Sequence, residues 1–285
     1  MSRRKPAHLV VLQHLAAWLA IAFALFPIVW VLSAALNPAN TLVGQRLIPA
    51  NWSWVNFEYV LTSPQHPFMT WIGNSLGIAA ATGVGAMLLS ALAAYSLSRF
   101  DFPGRRQTLL AVLLVQIFPQ MLAVVAIYLL LLNVREAVPF LGINTHGGLI
   151  LIYLGGSLGF QTWLMKGYFD SIPRSLDESA LIDGATQFGA FWHVILPLAR
   201  PILAVVAMLV FIAIYSEFIL ASVLLTGLET LTLPVGLQRF IDEQYAARWG
   251  IFSAAAIVGA IPVVAVFMYV QRYLVSGLTT GGVKG

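Results

Sequence analysis

Glu178-Ser179-Ala180-Leu181-Ile182-Asp183-Gly184, then nine residues, then Val194-Ile195-Leu196-Pro197: this stretch interrupts an otherwise apolar chain. Between Lys166 and Arg200 the sequence turns polar, and a polar hairpin of this length between apolar runs reads as a handle for something soluble. Ser175 and Glu178 have the spacing of a capping box, in which the hydroxyl takes the amide three residues on and the Glu reaches back. The spacing predicts a helix from Leu176 to about Asp183, ended by Gly184 in the left-handed conformation that glycine adopts without a Cβ penalty. A second helical stretch carries Phe188, Phe191, Trp192 and Ile195. It stops or bends at Pro197, and Pro201 opens the next apolar run. Leu176, Ala180, Leu181 and Phe188 are available for a partner's cleft, and the small Ser179, Ala180 and Ala185 allow close approach. The alternative is a loop that packs on its own bundle, and spacing alone leaves both open.

Working outward, the chain has 285 residues, 60% hydrophobic and 9% charged. Soluble domains carry about 25% charged residues, so the solvent for this surface is lipid. Fifteen Lys and Arg give a net charge of +4, but they are scattered in short connections, which excludes a nucleic-acid surface. No cysteine is present, so no disulfide framework exists. A span needs about 20 mostly apolar residues. Six segments qualify: 9–36, 68–97, 107–132, 148–165, 201–225 and 251–272. Arg3, Arg4 and Lys5 before the first run resemble a signal peptide's start. That run is longer than such a core and lacks a small-x-small cleavage site, so it reads as an uncleaved span.

Lys and Arg in the connections set orientation. With the N-terminus inside, Arg3, Arg4, Lys5, Arg99, Arg105, Arg106, Lys166, Arg174, Arg200, Arg272 and Lys284 are inside, against Arg46, Arg135, Arg239 and Arg248 outside. Both termini and the 166–200 hairpin are therefore expected to be cytoplasmic, in an all-α polytopic protein with the hairpin between spans four and five. The outer segments 37–67, 133–147 and 226–250 carry Trp52, Trp54, Trp71 and Trp249, read as headgroup-level anchors. In the second span Gly73, Gly77, Ala81 and Gly85 lay a small-residue groove down one face. Such a groove admits a neighbouring backbone or serves generic packing.

Glu217 is the acidic residue deep in an expected span. A mid-bilayer charge costs roughly 2.5–3.5 kcal/mol on insertion scales, so it lines a path or gate, or bonds a neighbouring helix. Gln116, Pro119 and Gln120 interrupt the third span, which fits pathway lining or a plain kink. Tyr153, Gln161 and Trp163 are of types that stack on or bond a sugar, or simply pack. His14, His66, His146 and His193 do not fall at metal-ligand spacing. No His-Glu-x-x-His, Gly-x-Ser-x-Gly or phosphate-loop sequence is present, and Gly281-Gly-Val-Lys-Gly285 has the wrong spacing for the last. No catalytic constellation is visible.

The pattern Glu-x-Ala-x-x-Asp-Gly, nine residues, β-branched-x-Leu-Pro is similar to the signature loop of binding-protein-dependent ABC importer permeases. Ser179 stands where Ala is usual and Val194 where Ile is usual, both size-tolerant changes. Phe140-Leu-Gly-Ile-Asn-Thr-His-Gly-Gly148, Tyr153-Leu-Gly-Gly156, Lys166-Gly-Tyr-Phe169 and Gly277-Leu-Thr-Thr-Gly-Gly-Val-Lys-Gly285 resemble the smaller membrane subunit of bacterial maltose importers. The likeness covers about residues 70–285.

The resemblance implies a sugar-importer permease in the bacterial inner membrane, with no cofactor of its own. Its partners would be a larger homologous membrane subunit, a dimer of cytoplasmic ATPases that bind ATP and Mg, and a periplasmic sugar-binding protein. The ATPase-coupling loop would be Ser175, Leu176, Glu178, Ser179, Ala180, Leu181, Asp183, Gly184, Ala185, Leu196 and Pro197. The segment facing the binding protein would include Leu231, Thr232, Leu233, Pro234, Gly236 and Arg239. Thr279 to Gly285 would run back to the ATPases. Candidate pathway residues are Gln116, Gln120, Tyr153 and Glu217.

The expected divisions are 1–67 (N-terminal arm, first span and outer segment), 68–275 (permease core) and 276–285 (tail). Six spans make a meagre wall around a disaccharide-sized passage, so a membrane partner is expected independently. The competing class is an ion- or proton-coupled carrier acting alone, which wants several intramembrane charges and an internal repeat. An intramembrane enzyme would need a nucleophile–base or metal set.

Overall fold

The computed structural model describes residues 7–241 and 248–281; the side chains of Ala7, of Gln120 and of 274–281 lie outside that description. Arg3, Arg4, Lys5, residues 282–285 of the expected tail and residues 242–247 of the third outer segment therefore fall outside the described residues. Every described element is helical. In chain order they are α1 (Ala7–Ala35), α2 (Val55–Thr62), α3 (Phe68–Arg99), α4 (Arg105–Val115) and α5 (Gln120–Ala137). A 3-10 turn (Pro139–Leu141) precedes α6 (His146–Ser171), α7 (Ser175–Ile182) and α8 (Gln187–Ala190). A π turn (Phe191–Ile195) leads to α9 (Leu196–Leu198), α10 (Arg200–Tyr215), α11 (Ile219–Leu224), α12 (Leu233–Gln238) and α13 (Trp249–Gly281).

Among the described residues, four helices are long and apolar enough to cross a membrane: His8–Ala35, Phe68–Arg99, His146–Ser171 and Trp249–Tyr273. A fifth is added if Gln187–Leu198 and Arg200–Tyr215, bent by 79°, count as one broken span. The expected third span, 107–132, is instead two helices parted at Gln116–Pro119. Pro119 has no amide to donate and its ring crowds the carbonyl four residues back, so α4 cannot run on into α5. The expected fifth span, 201–225, ends as a helix at Tyr215 and resumes at Ile219.

The chain forms two compact units, Met1–Phe68 with Leu237–Ala260, and Met69–Gly236 with Ile261–Gly285. In the first, Asn56 Nδ2 donates to the Ala35 and Asn37 carbonyls, both at 2.9 Å. Asn40 accepts from the Trp249 amide through its carbonyl and from the Ile251 amide through Oδ1. Gly250 sits against these asparagines with no room for a Cβ. Arg248 Nη1 donates to the Tyr59 hydroxyl at 2.8 Å.

In the second unit, α3 buries Ala91, Ala94 and Tyr95 against Met165 and Phe169 of α6 and against Phe191 and Ile195. The backbone approach on α3 occurs at Gly83, whose missing Cβ leaves space for the Ala207 carbonyl and Phe211. Gly73, Gly77 and Ala81 are exposed, and no described residue lies within 4 Å of where a Cβ on either glycine would stand. Among the described residues, none fills the expected groove along that stretch. Trp71 is also not a headgroup anchor: it is fully buried, and its indole donates to the Leu228 carbonyl at 2.8 Å.

Candidate functional site

Helix α7 starts without the expected capping box. Arg174 occupies the cap position in helical conformation, no side chain caps the helix, and Ser175 is already its first residue. The amide of Leu176 is taken by the Pro173 carbonyl and that of Glu178 by the Arg174 carbonyl. Satisfied from behind, these donors leave Ser175 and Glu178 exposed. Asp177 and Glu178 instead place negative charge in the first turn, where the helix dipole favours it.

The far end follows the sequence reading. Gly184 has φ +90°. The Ala185 amide donates to the Ala180 carbonyl at 3.0 Å and the Gly184 amide to the Leu181 carbonyl at 3.1 Å. These two bonds form a Schellman stop, which requires a left-handed residue at Gly184. Thr186 Oγ1 then accepts from the Gly189 amide at 3.0 Å and caps α8. The chain turns through 79° at Ala199, between Pro197 and Pro201.

On this hairpin Leu176, Ile182, Phe188 and Trp192 are exposed, and Ile182 is 86% exposed. Ala180, Leu181, Ala185 and Leu196 are half-buried, while Ser179, Asp183, Gly184 and Pro197 are exposed. The Phe188 and Trp192 rings stack at 6.1 Å. Beneath this surface Phe191 and Ile195 enter the core, so the hairpin has one anchored face and one free apolar face.

A residue that the sequence reading passed over anchors the other arm. Asp177 is the buried residue of α7 and pairs with Arg99, in the last turn of α3, at 2.8 Å between Oδ2 and Nε. The approach is that of an ion pair rather than an aligned hydrogen bond. Arg99 Nη2 also donates to the Ile172 carbonyl at 3.1 Å. Arg105 and Arg174 donate to carbonyls of Leu97 and Ser98 at the end of α3, where cations suit the dipole. Ser98 Oγ donates to Asp170, which pairs with Lys166 at 2.6 Å.

A second polar cluster lies within the apolar helices. Glu217 sits in the gap between α10 and α11. Its carboxylate accepts from the Leu220 amide at 2.8 Å, from the Ala221 amide at 3.1 Å and from the Tyr153 hydroxyl of α6. The helix breaks, and the side chain caps the amides that the break exposes. Gln116, at the end of α4, donates Nε2 to the Gly156 carbonyl at 2.8 Å and accepts at Oε1 from the Phe160 amide at 3.2 Å. Gly159 leaves it room, since a Cβ there would strike the Gln116 side chain. Gln116, Tyr153, Ser157, Gln161 and Glu217 line a cavity of about 580 Å³. Gln120 opens α5 beside the same break, and its side chain lies outside the described residues.

The segment expected to face a binding protein is largely tucked in. Leu231, Thr232, Leu233 and Gly236 are buried. Asn74 Nδ2 donates to the Glu229 and Leu231 carbonyls, Ser75 Oγ accepts from the Leu233 amide at 2.7 Å, and Gly236 lies on the Trp71 ring. Pro234 is half-buried and Arg239 exposed. The residues before them form a knot. Asn144, at φ +59°, accepts at Oδ1 from the Thr226 and Gly227 amides and the Thr230 hydroxyl. Thr145 caps α6, and Gly147 and Gly148 meet the carbonyls of Phe140 and Gly142 with no space for a side chain. Within the word Phe140 to Gly148, Asn144, Thr145, Gly147 and Gly148 are therefore set by backbone hydrogen bonds and close packing.

The family model for the inner membrane component of binding-protein-dependent transport systems matches residues 86–280. The chain belongs to this family. As such a permease subunit it is 44% identical, over 95% of both chains, to the maltose/maltodextrin transport system permease protein MalG of Photorhabdus laumondii. It is 42% identical to the protein of the same name from Escherichia coli K12, over 96% of this chain and 95% of that one. Its fold matches a chain of the bacterial ABC transporter involved in import of the acidic polysaccharide alginate. The TM-score is 0.78 at 24% identity, covering 96% of the permease and 99% of that chain. A second structure, of an alginate ABC transporter in complex with a pentasaccharide-bound periplasmic protein, matches with a TM-score of 0.62 at 21% identity.

Proposed function

We propose that this permease imports maltose or maltodextrin-type sugars as half of a translocation path whose other half is a larger homologous subunit. The observation that carries this reading is the 44% identity, spanning nearly the whole of both chains, to a maltose/maltodextrin permease protein. The chain itself hydrolyses nothing. ATP and Mg are bound by a dimer of cytoplasmic ATPases, and a periplasmic binding protein delivers the sugar.

The 166–200 hairpin is the site of coupling. Its free apolar face, with Leu176, Ile182 and Phe188, seats in an ATPase cleft, and the exposed Ser179 and Gly184 let that cleft close on the backbone. Closure of the ATPases displaces α7, and the bundle passes from inward-facing to outward-facing. Gln116, Gln120, Tyr153 and Glu217 flank the path on this subunit's side. Because Leu231 to Leu233 and Gly236 are buried, the surface that the second unit leaves for the binding protein is Leu228, Glu229 and Pro234.

Co-expression of this chain with its membrane partner, ATPase and binding protein tests the reading. ATP hydrolysis by the purified complex should rise when maltodextrin-loaded binding protein is added. Hydrolysis indifferent to the loaded binding protein would contradict it.

A further inference from the structure

The hairpin touches the rest of its unit in two different ways. Its second arm is held by Phe191 and Ile195 in an apolar core, where contacts have no preferred direction. Its first arm, α7, has a single buried residue, Asp177. The side chains of Asp177 and Arg99 are 9% and 6% exposed, so their attraction is little screened by water. Arg99 holds the Ile172 carbonyl with the same guanidinium, and so clasps both the end of α6 and the first turn of α7. The Tyr95 hydroxyl, one turn back on α3, donates to the Gln187 carbonyl at 3.3 Å and lies 3.5 Å from Asp177 Oδ1. Three points of the hairpin thus converge on the last two turns of α3.

An exposed eight-residue helix clipped at one point to a 32-residue helix has the form of a lever arm. We propose that Arg99 and Asp177 are positioning residues for transport, forming the directional link through which displacement of α7 reaches α3. Replacing a buried ion pair by apolar groups of similar volume commonly leaves stability intact. An apolar contact at this point holds α7 in place but lets it slide, so motion of the hairpin is no longer delivered to α3.

This inference rests on the coupling role proposed above for the hairpin. The test measures sugar imported per ATP hydrolysed by the complete reconstituted complex. With Arg99→Met and Asp177→Leu together, the assembled complex should import about tenfold less sugar per ATP, the scale of typical coupling between linked sites. Arg99→Lys, which keeps a cation opposite Asp177 at the end of α3, should retain most of the wild-type coupling. Wild-type coupling in the apolar pair would overturn the proposal, and so would an Arg99→Lys complex that assembles yet is as uncoupled as the apolar pair. Failure of the apolar pair to assemble would also overturn it, because the pair would then serve folding rather than coupling. A wild-type complex with no ATP-driven uptake would instead overturn the reading of function on which the inference rests.

Discussion

The Tyr153 hydroxyl of α6 donates to the Glu217 carboxylate, in the gap between α10 and α11. The same carboxylate accepts from the Leu220 and Ala221 amides, so one side chain both caps α11 and ties it to α6. Of the two roles open to an acidic residue in a span, the geometry gives the interhelical bond, and the carboxylate also borders the cavity.

Glu217→Gln keeps the shape but gives up one acceptor edge. In either orientation of the amide, the Leu220 or the Ala221 amide loses its partner. The expected cost is about 1–3 kcal/mol, that of one unsatisfied buried donor. Thermal unfolding of the detergent-solubilised complex should show a lower midpoint. An unchanged midpoint would mean that the carboxylate does not cap α11.

Substitutions at Gly184 should rank by their tolerance of positive φ. No described residue lies within 4 Å of the missing Cβ, so the cost to this chain's own fold is conformational. Asn tolerates the left-handed region, Ala costs about 1–2 kcal/mol there, and a β-branched residue fits worst. Coupled uptake should fall in the order Gly184→Asn, Gly184→Ala, Gly184→Val while insertion of the helices is unaffected. Equal uptake by all three would remove the turn from the coupling account.

The Gln116 amide occupies space that exists because residue 159 is glycine. Gly159→Ala should eject it from Gly156 and Phe160, and Gln116→Ala should then add little further harm. A double-mutant cycle on unfolding of the complex should return an interaction of about 0.5–3 kcal/mol, as for residues in contact. Additive effects would show that the two positions do not meet.

Asn144→Ala removes the acceptor for three donors and leaves alanine in the left-handed region, at an expected cost of about 2 kcal/mol or more. Asn144→Asp keeps the acceptor and tolerates the conformation. Its folded yield and unfolding midpoint should stay close to wild type while those of the alanine variant drop.

What was legible in the sequence was local chemistry. Gly184 after Asp183 announces a left-handed stop, Pro197 and Pro201 bracket a sharp turn, and Pro119 breaks a helix, each within a few residues of its effect. What was not legible depended on contacts far along the chain. Nothing near Asp177 marks Arg99 as its partner, and a helix of eight residues reads as surface throughout. Ser175 and Glu178 match a capping pattern, but Pro173 and Arg174 supply the carbonyls first. Glu217 looks like a charge inside a continuous span because hydropathy does not register that the helix parts around it. Leu231 to Gly236 read as an outer loop, yet Trp71, Asn74 and Ser75 of α3 draw that segment inward.

The most direct test of the account is accumulation of labelled maltodextrin in proteoliposomes holding this chain with its membrane partner and ATPases. Uphill uptake is expected when ATP is on the ATPase side and binding protein on the other, and none when the ATPase or the nucleotide is left out. Uphill accumulation by this chain with no ATPase present would contradict it.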